Sequence, residues 1–102
     1  MATITRKGPM HNPPHPGAIL RDLYMKPLNV SILDAAKALG VTSKHVSGIV
    51  NGRARVTADM AIRLAAVFAT EAQLWVSPQG QHDLWVASQK KPPNVKPLHQ
   101  AA

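Results

Sequence analysis

Between Pro16 and Ser88 the apolar residues recur at helical spacing, in short bursts separated by glycine, proline or a capping hydroxyl. Ile19, Leu20, Leu23 and Tyr24 define one face of a first helix. It starts at Pro16, whose fixed φ and missing N–H suit the first helical position, and Pro27 is expected to end it. Ile32, Ala35, Ala36 and Leu39 then stand at i, i+3, i+4 and i+7, and Val46, Ile49 and Val50 form a second stripe. Gly40 sits where the chain must turn sharply between these two helices, a place that commonly needs positive φ. Thr42 or Ser43 can cap the second of them, and Asn51-Gly52 supplies its stop. A fourth helix, capped by Thr57, carries Ala61, Leu64, Ala65 and Phe68, supported by Met60 and Val67. Thr70-Glu71-Ala72-Gln73 fits a capping box opening a fifth helix through Leu74, Trp75 and Val76. Pro78 should kink or break that helix before a last stretch around 81–88, since a proline ring obstructs the carbonyl four residues back.

The run SILDAAKALGVTSKHVSGIVNG, Ser31 to Gly52, is thus two short amphipathic helices hinged at a glycine, the signature of a helix-turn-helix. Its buried stripe leaves Lys44, His45, Ser47 and Gly48 pointing outward on the second helix, with donors and no acid, and Arg53 and Arg55 follow directly. From Ser31 to Thr57 the charged residues are Lys37, Lys44, Arg53 and Arg55 against Asp34 alone, a balance that suits a phosphate backbone. The stripe by itself would fit any helical hairpin; the charge is what points to nucleic acid.

Composition narrows the classes further. The 102 residues carry 12 Lys plus Arg against 5 Asp plus Glu, a formal charge of +7, which favours a polyanionic partner over a neutral small molecule. A single domain of this size buries a modest fraction of its surface, and dimerisation is the cheapest way to add core. The absence of cysteine excludes disulfides, thiol catalysis and Cys-based zinc sites. His11 and His15 stand four apart, but the intervening prolines prevent a helix that would present both to a metal. The acids are scattered singly and no nucleophile sits beside a base and its orienter, so neither enzyme nor cofactor is expected. MATITRKGPM lacks the apolar core of a secretion signal, and the longest apolar stretch, around Met60 to Ala69, is interrupted by Arg63 and too short to span a membrane; a cytoplasmic protein is the expectation. Of the two tryptophans, Trp75 and Trp85, one is expected at a subunit or partner interface.

Three segments resemble a known family: HPGAILRDLYMKPLNVS from His15 to Ser31, AAKALGV from Ala35 to Val41, and the stretch from Val46 through NGRARVTADMAIRLAAVFAT to Thr70. Over about residues 13–88 the chain is similar to HigA-type antitoxins, within the broad class of XRE or Cro-like repressors. The resemblance implies an all-helical, usually dimeric protein that binds double-stranded operator DNA, neutralises a cognate RelE-type ribonuclease toxin and represses their shared operon. It also marks departures. Ile32 stands where the class often has a polar residue, commonly Gln, Gly48 where a long polar side chain is common, and Pro78 where the last helix usually continues without proline.

The expected architecture is therefore all-α, a five-helix Cro/repressor-like helix-turn-helix domain at 15–89. An extended arm at 1–14 precedes it and a basic, proline-rich tail at 90–102 follows. The residues expected on DNA are Thr42, Ser43, Lys44, His45, Ser47, Arg53 and Arg55, with the recognition helix at about 43–50 in the major groove and the two arginines on the backbone. A free-standing repressor without a toxin, and a basic module that binds protein or RNA, are the alternatives.

Overall fold

A computed structural model describes residues 12–98. Most of the expected N-terminal arm, including His11, and the last four residues of the tail lie outside the described residues. Among those described there are five helices and no strand. Helix α1 (residues 16–28) joins an α turn, Pro16–Ile19, to a π-helical segment, Leu20–Met25, and a short α segment, Lys26–Leu28. Helices α2 (Ile32–Leu39) and α3 (Ser43–Val50) form the helix-turn-helix, followed by α4 (Ala58–Phe68) and α5 (Gln73–Ser88).

The motif's local chemistry is as the sequence dictates. Ser31, Thr42 and Thr57 each cap the helix that follows, their hydroxyls accepting from the amides of Asp34, His45 and Met60 at 3.0, 3.0 and 3.2 Å. Gly40 adopts φ 73°, and its amide and that of Val41 donate to the Ala36 carbonyl, closing the end of α2. Ala35, Ala36, Leu39, Val46, Ile49 and Val50 are all buried, and they join Leu20, Met60, Ala61, Leu64 and Trp75 in one core.

Five expectations, in the first helix and the last two, fail. Pro27 does not end α1. The helix carries on to Leu28 and stops at Asn29 in a left-handed conformation. The π-helical segment lies immediately before the proline, where a widened turn re-routes the hydrogen-bond ladder that the ring would otherwise obstruct. Widening also shifts the buried face: Met25 enters the core, and Leu23, expected inside from a strict 3.6-residue period, is 65% exposed. Pro78 does not break α5 either, for the helix runs unbroken from Gln73 to Ser88. Buried Trp75 and Gln79 anchor it on both sides of the proline, offsetting a local cost of about 3 kcal/mol. The capping box at Thr70 is absent. That hydroxyl instead accepts from the Trp75 indole N–H at 2.8 Å, and Ala72 heads the helix with no side-chain cap. Val67 of α4, expected to support the core, is exposed. Trp75, wholly buried, packs beside Tyr24 and Phe68 with ring centroids at 5.1 and 6.5 Å.

The start of α1 explains the His-Pro-Gly sequence. His15 caps the helix, its Nδ1 accepting from the Gly17 amide at 2.9 Å, and Pro16 is buried as the first helical residue. Gly17 lies against the backbone of α3: a β-carbon there would sit 1.7 Å from the Ile49 carbonyl oxygen. The first helix can touch the recognition helix backbone to backbone only because this residue lacks a side chain.

Gly17→Ala is therefore expected to push α1 off α3 and cost about 1–3 kcal/mol, read as a lower melting temperature by circular dichroism. An unchanged melting temperature would show that the two helices do not approach this closely. A second expectation concerns acid. Burial, then the nearby His82 imidazole, lowers the pKa of His15 from its ordinary 6.5, with Asp83 opposing. The folded state then binds fewer protons than the unfolded one as pH falls below 6.5, so stability present at neutral pH declines across that window. Protonation of Nδ1 also removes the acceptor for the Gly17 amide. Melting temperature should fall between about pH 7 and pH 5, and His15→Asn, which keeps a capping oxygen without a titrating ring, should flatten the fall.

Candidate nucleic-acid interface

The recognition helix α3 presents its first turn outward. Thr42, Ser43, Lys44 and His45 are exposed, while Val46, Ile49 and Val50 hold the opposite face in the core. Thr42, Lys44, His45, Ser47, Gly48 and Arg53 border one shallow recess between the helix and the loop that follows it. Five of the seven residues expected on DNA are thus brought together, and Ser43 stands beside them at the head of the helix.

Gly48, Ser47 and Arg55 differ from expectation in their surroundings. Gly48 is half-buried, not outward, because the chain folds back over it. The amides of Arg53 and Ala54 donate to its carbonyl at 2.8 and 3.0 Å, and a β-carbon at Gly48 would meet that of Ala54 at 3.2 Å. A long side chain at this position would displace the loop that carries Arg53. Ser47 is also half-buried and partly engaged: Asn51 Nδ2 donates to its carbonyl at 2.8 Å and its hydroxyl at 3.3 Å, which closes the end of the helix. Arg55 turns away from the recess, and its Nη2 lies 2.8 Å from Asp83 Oδ2 on α5.

Two arginines that sequence reasoning did not assign set the pose of the motif. Arg63 of α4 donates to the Leu39 carbonyl at 2.8 Å, and Asp59 orients its guanidinium at 2.9 Å. Arg21 of α1 donates to the Val50 carbonyl at 3.3 Å while paired with Asp22, whose carboxyl is held at about 2 chiefly by that bond. Each places a cation at the negative end of one motif helix, where free carbonyls need a donor. An arginine on a neighbouring helix was visible in the sequence, but which helix end it would reach depends on the packing.

The sequence from Asp22 to Trp75 matches the helix-turn-helix family model over residues 22–75, more than half of the chain. The chain belongs to the XRE/Cro-like helix-turn-helix family. This helix-turn-helix protein is 43% identical over 77 residues to virulence-associated protein I of Dichelobacter nodosus, covering 76% of this chain and 71% of that one. It is 33% identical over 85 residues to antitoxin HigA-1 of Vibrio cholerae, with 80% of each chain covered. Its fold superposes on the Pseudomonas aeruginosa antitoxin HigA, solved with the higBA promoter, with a TM-score of 0.77 and 36% identity over 85% of this chain and 99% of that one. The resemblance to HigA-type proteins drawn from the His15–Ser31, Ala35–Val41 and Val46–Thr70 segments therefore agrees with both sequence and fold. Among the described residues no helix is long and apolar enough to cross a membrane.

Proposed function

We propose that this helix-turn-helix protein is a homodimeric operator-binding antitoxin of the cytoplasm, which represses its own operon and neutralises a cognate RelE-like ribonuclease toxin. The observation that carries the DNA half is the recess at the head of α3, where Thr42, Lys44, His45, Ser47 and Arg53 converge without an acidic residue. The same fold in the P. aeruginosa HigA structure is accompanied by promoter DNA, which supports the same use of the motif here. In this reading α3 enters the major groove, Thr42 and Ser43 lie near phosphates or bases, Lys44 reads a base edge and Arg53 grips the backbone. The toxin half rests on similarity to antitoxins at 33% and 36% identity. Surfaces away from α3 are open to such a partner, among them the outer side of α5 around Leu74, Ser77 and Pro78.

Two activities on separate surfaces should separate by mutation. Lys44→Ala is expected to cost about 1–3 kcal/mol of operator binding and to relax base preference at one position, read by competition with base-substituted operators. The same variant should still protect growth when the neighbouring toxin gene is co-expressed. Loss of both activities in a folded variant would overturn the division. A weakening equal on all sequences would instead put Lys44 on a phosphate. For the dimer, nuclease footprinting should reveal two related half-sites roughly 34 Å apart, one helical turn; a single asymmetric footprint from a monomeric protein would exclude it.

A further inference from the structure

Arg53 and Arg55 leave the same loop two residues apart, yet their guanidinium groups go to different places. Arg53 borders the recess of the recognition helix, whereas Arg55 is tied to α5. The tie has three links. Gln79 is buried, and its Oε1 accepts from the Val56 amide at 2.7 Å. Its Nε2 donates to Asp83 Oδ1 at 2.9 Å, one helical turn further along α5. Asp83 Oδ2 then accepts from Arg55 Nη2 at 2.8 Å. Both carboxylate oxygens of Asp83 are thus engaged, and the residue after Arg55 is pinned to the same helix.

An exposed ion pair ordinarily contributes about 0–1 kcal/mol, because ordering two long side chains offsets the attraction. Here the carboxylate is already oriented by a buried amide, so only Arg55 has to be ordered. Gln79 first, and the Arg55 charge with it, holds the Asp83 carboxyl below its ordinary range, so the group is ionised at neutral pH. Its negative charge stands against the guanidinium of Arg55.

We propose that Asp83 is a positioning residue that withholds Arg55 from the DNA backbone and so sets how strongly the protein holds DNA irrespective of sequence. The proposal rests on the DNA-binding reading above. Phosphate contacts dominate sequence-independent affinity, and a chain of net charge +7 has ample means to form them. A genome offers a vast excess of non-operator sites, so one contact fewer leaves more protein for its operator.

The test measures binding to a scrambled duplex, and to a duplex of the promoter upstream of its own gene, by fluorescence anisotropy over a range of salt. The proteins are the parent, Asp83→Asn, Arg55→Gln and the double variant, with folding followed by circular dichroism. Asp83→Asn keeps a side-chain oxygen for Gln79 and replaces the charged acceptor that faces Arg55 with an uncharged amide NH2. It should bind the scrambled duplex several-fold more tightly at low salt, with the slope of log affinity against log salt steeper by about 0.9. Arg55→Gln in the parent should leave the slope unchanged, and the double variant should return it to the parent value. That return separates release of Arg55 from the general effect of removing an acid.

A flatter slope in Arg55→Gln alone would show that Arg55 already sits on a phosphate with Asp83 intact, and would overturn the proposal. So would an unchanged slope in folded Asp83→Asn. Should Asp83→Asn fail to fold, Asp83→Ala takes its place with the same expected slopes. Failure of the folded parent to bind either duplex would overturn the DNA-binding reading, and this inference with it.

Discussion

The contact between Gly17 and the Ile49 carbonyl is the constraint on which the rest of the domain depends. A recognition helix must be carried rigidly to be useful, and α3 is only two turns long. It cannot hold itself in place, since short helices draw their stability from packing. Backbone-to-backbone approach from α1 fixes one side of it, with His15 and Pro16 holding that end of α1 in shape. On the other side Val46, Ile49 and Val50 enter the core shared with α2, α4 and Trp75 of α5. The exposed first turn of α3 is then supported by its buried face and by the Thr42 cap, which leaves Ser43, Lys44 and His45 facing outward.

Polar ties complete what a small core leaves loose. Arg63 and Arg21 each cap the C-terminal end of a motif helix from a different neighbouring helix. Gln79 and Asp83 secure the loop behind α3 to α5. These bonds are directional, whereas apolar contact is not, so they determine the orientation of the helices more than their proximity. The positive surface has a cost in the same terms: of the loop's two arginines, one is left by the recognition helix and the other is neutralised.

The two prolines show how context overrides a local rule. At Pro27 the backbone yields, by one π-helical segment that also exchanges Leu23 for Met25 in the core. At Pro78 the helix persists because Trp75 and Gln79, three residues before it and one after, are both buried and held. Propensity describes the cost of a residue in an isolated helix, and a few kcal/mol of burial on each side exceeds it.

What the sequence by itself determined is whatever is set within one or two helical turns. The stripes of α2, α3 and α4, the hydroxyl caps at Ser31, Thr42 and Thr57, and the left-handed turn at Gly40 follow from spacing and from the chemistry of single residues. The outward residues at the head of α3 follow too, because burying one helical face exposes the other. Tertiary structure decided what depends on partners distant in sequence. Arg55 finds Asp83 across 28 residues, Arg63 finds Leu39 across 24, and the backbone of Ile49 comes to lie against Gly17. Such contacts leave no periodic trace, since they join one position to one other and repeat nowhere along the chain.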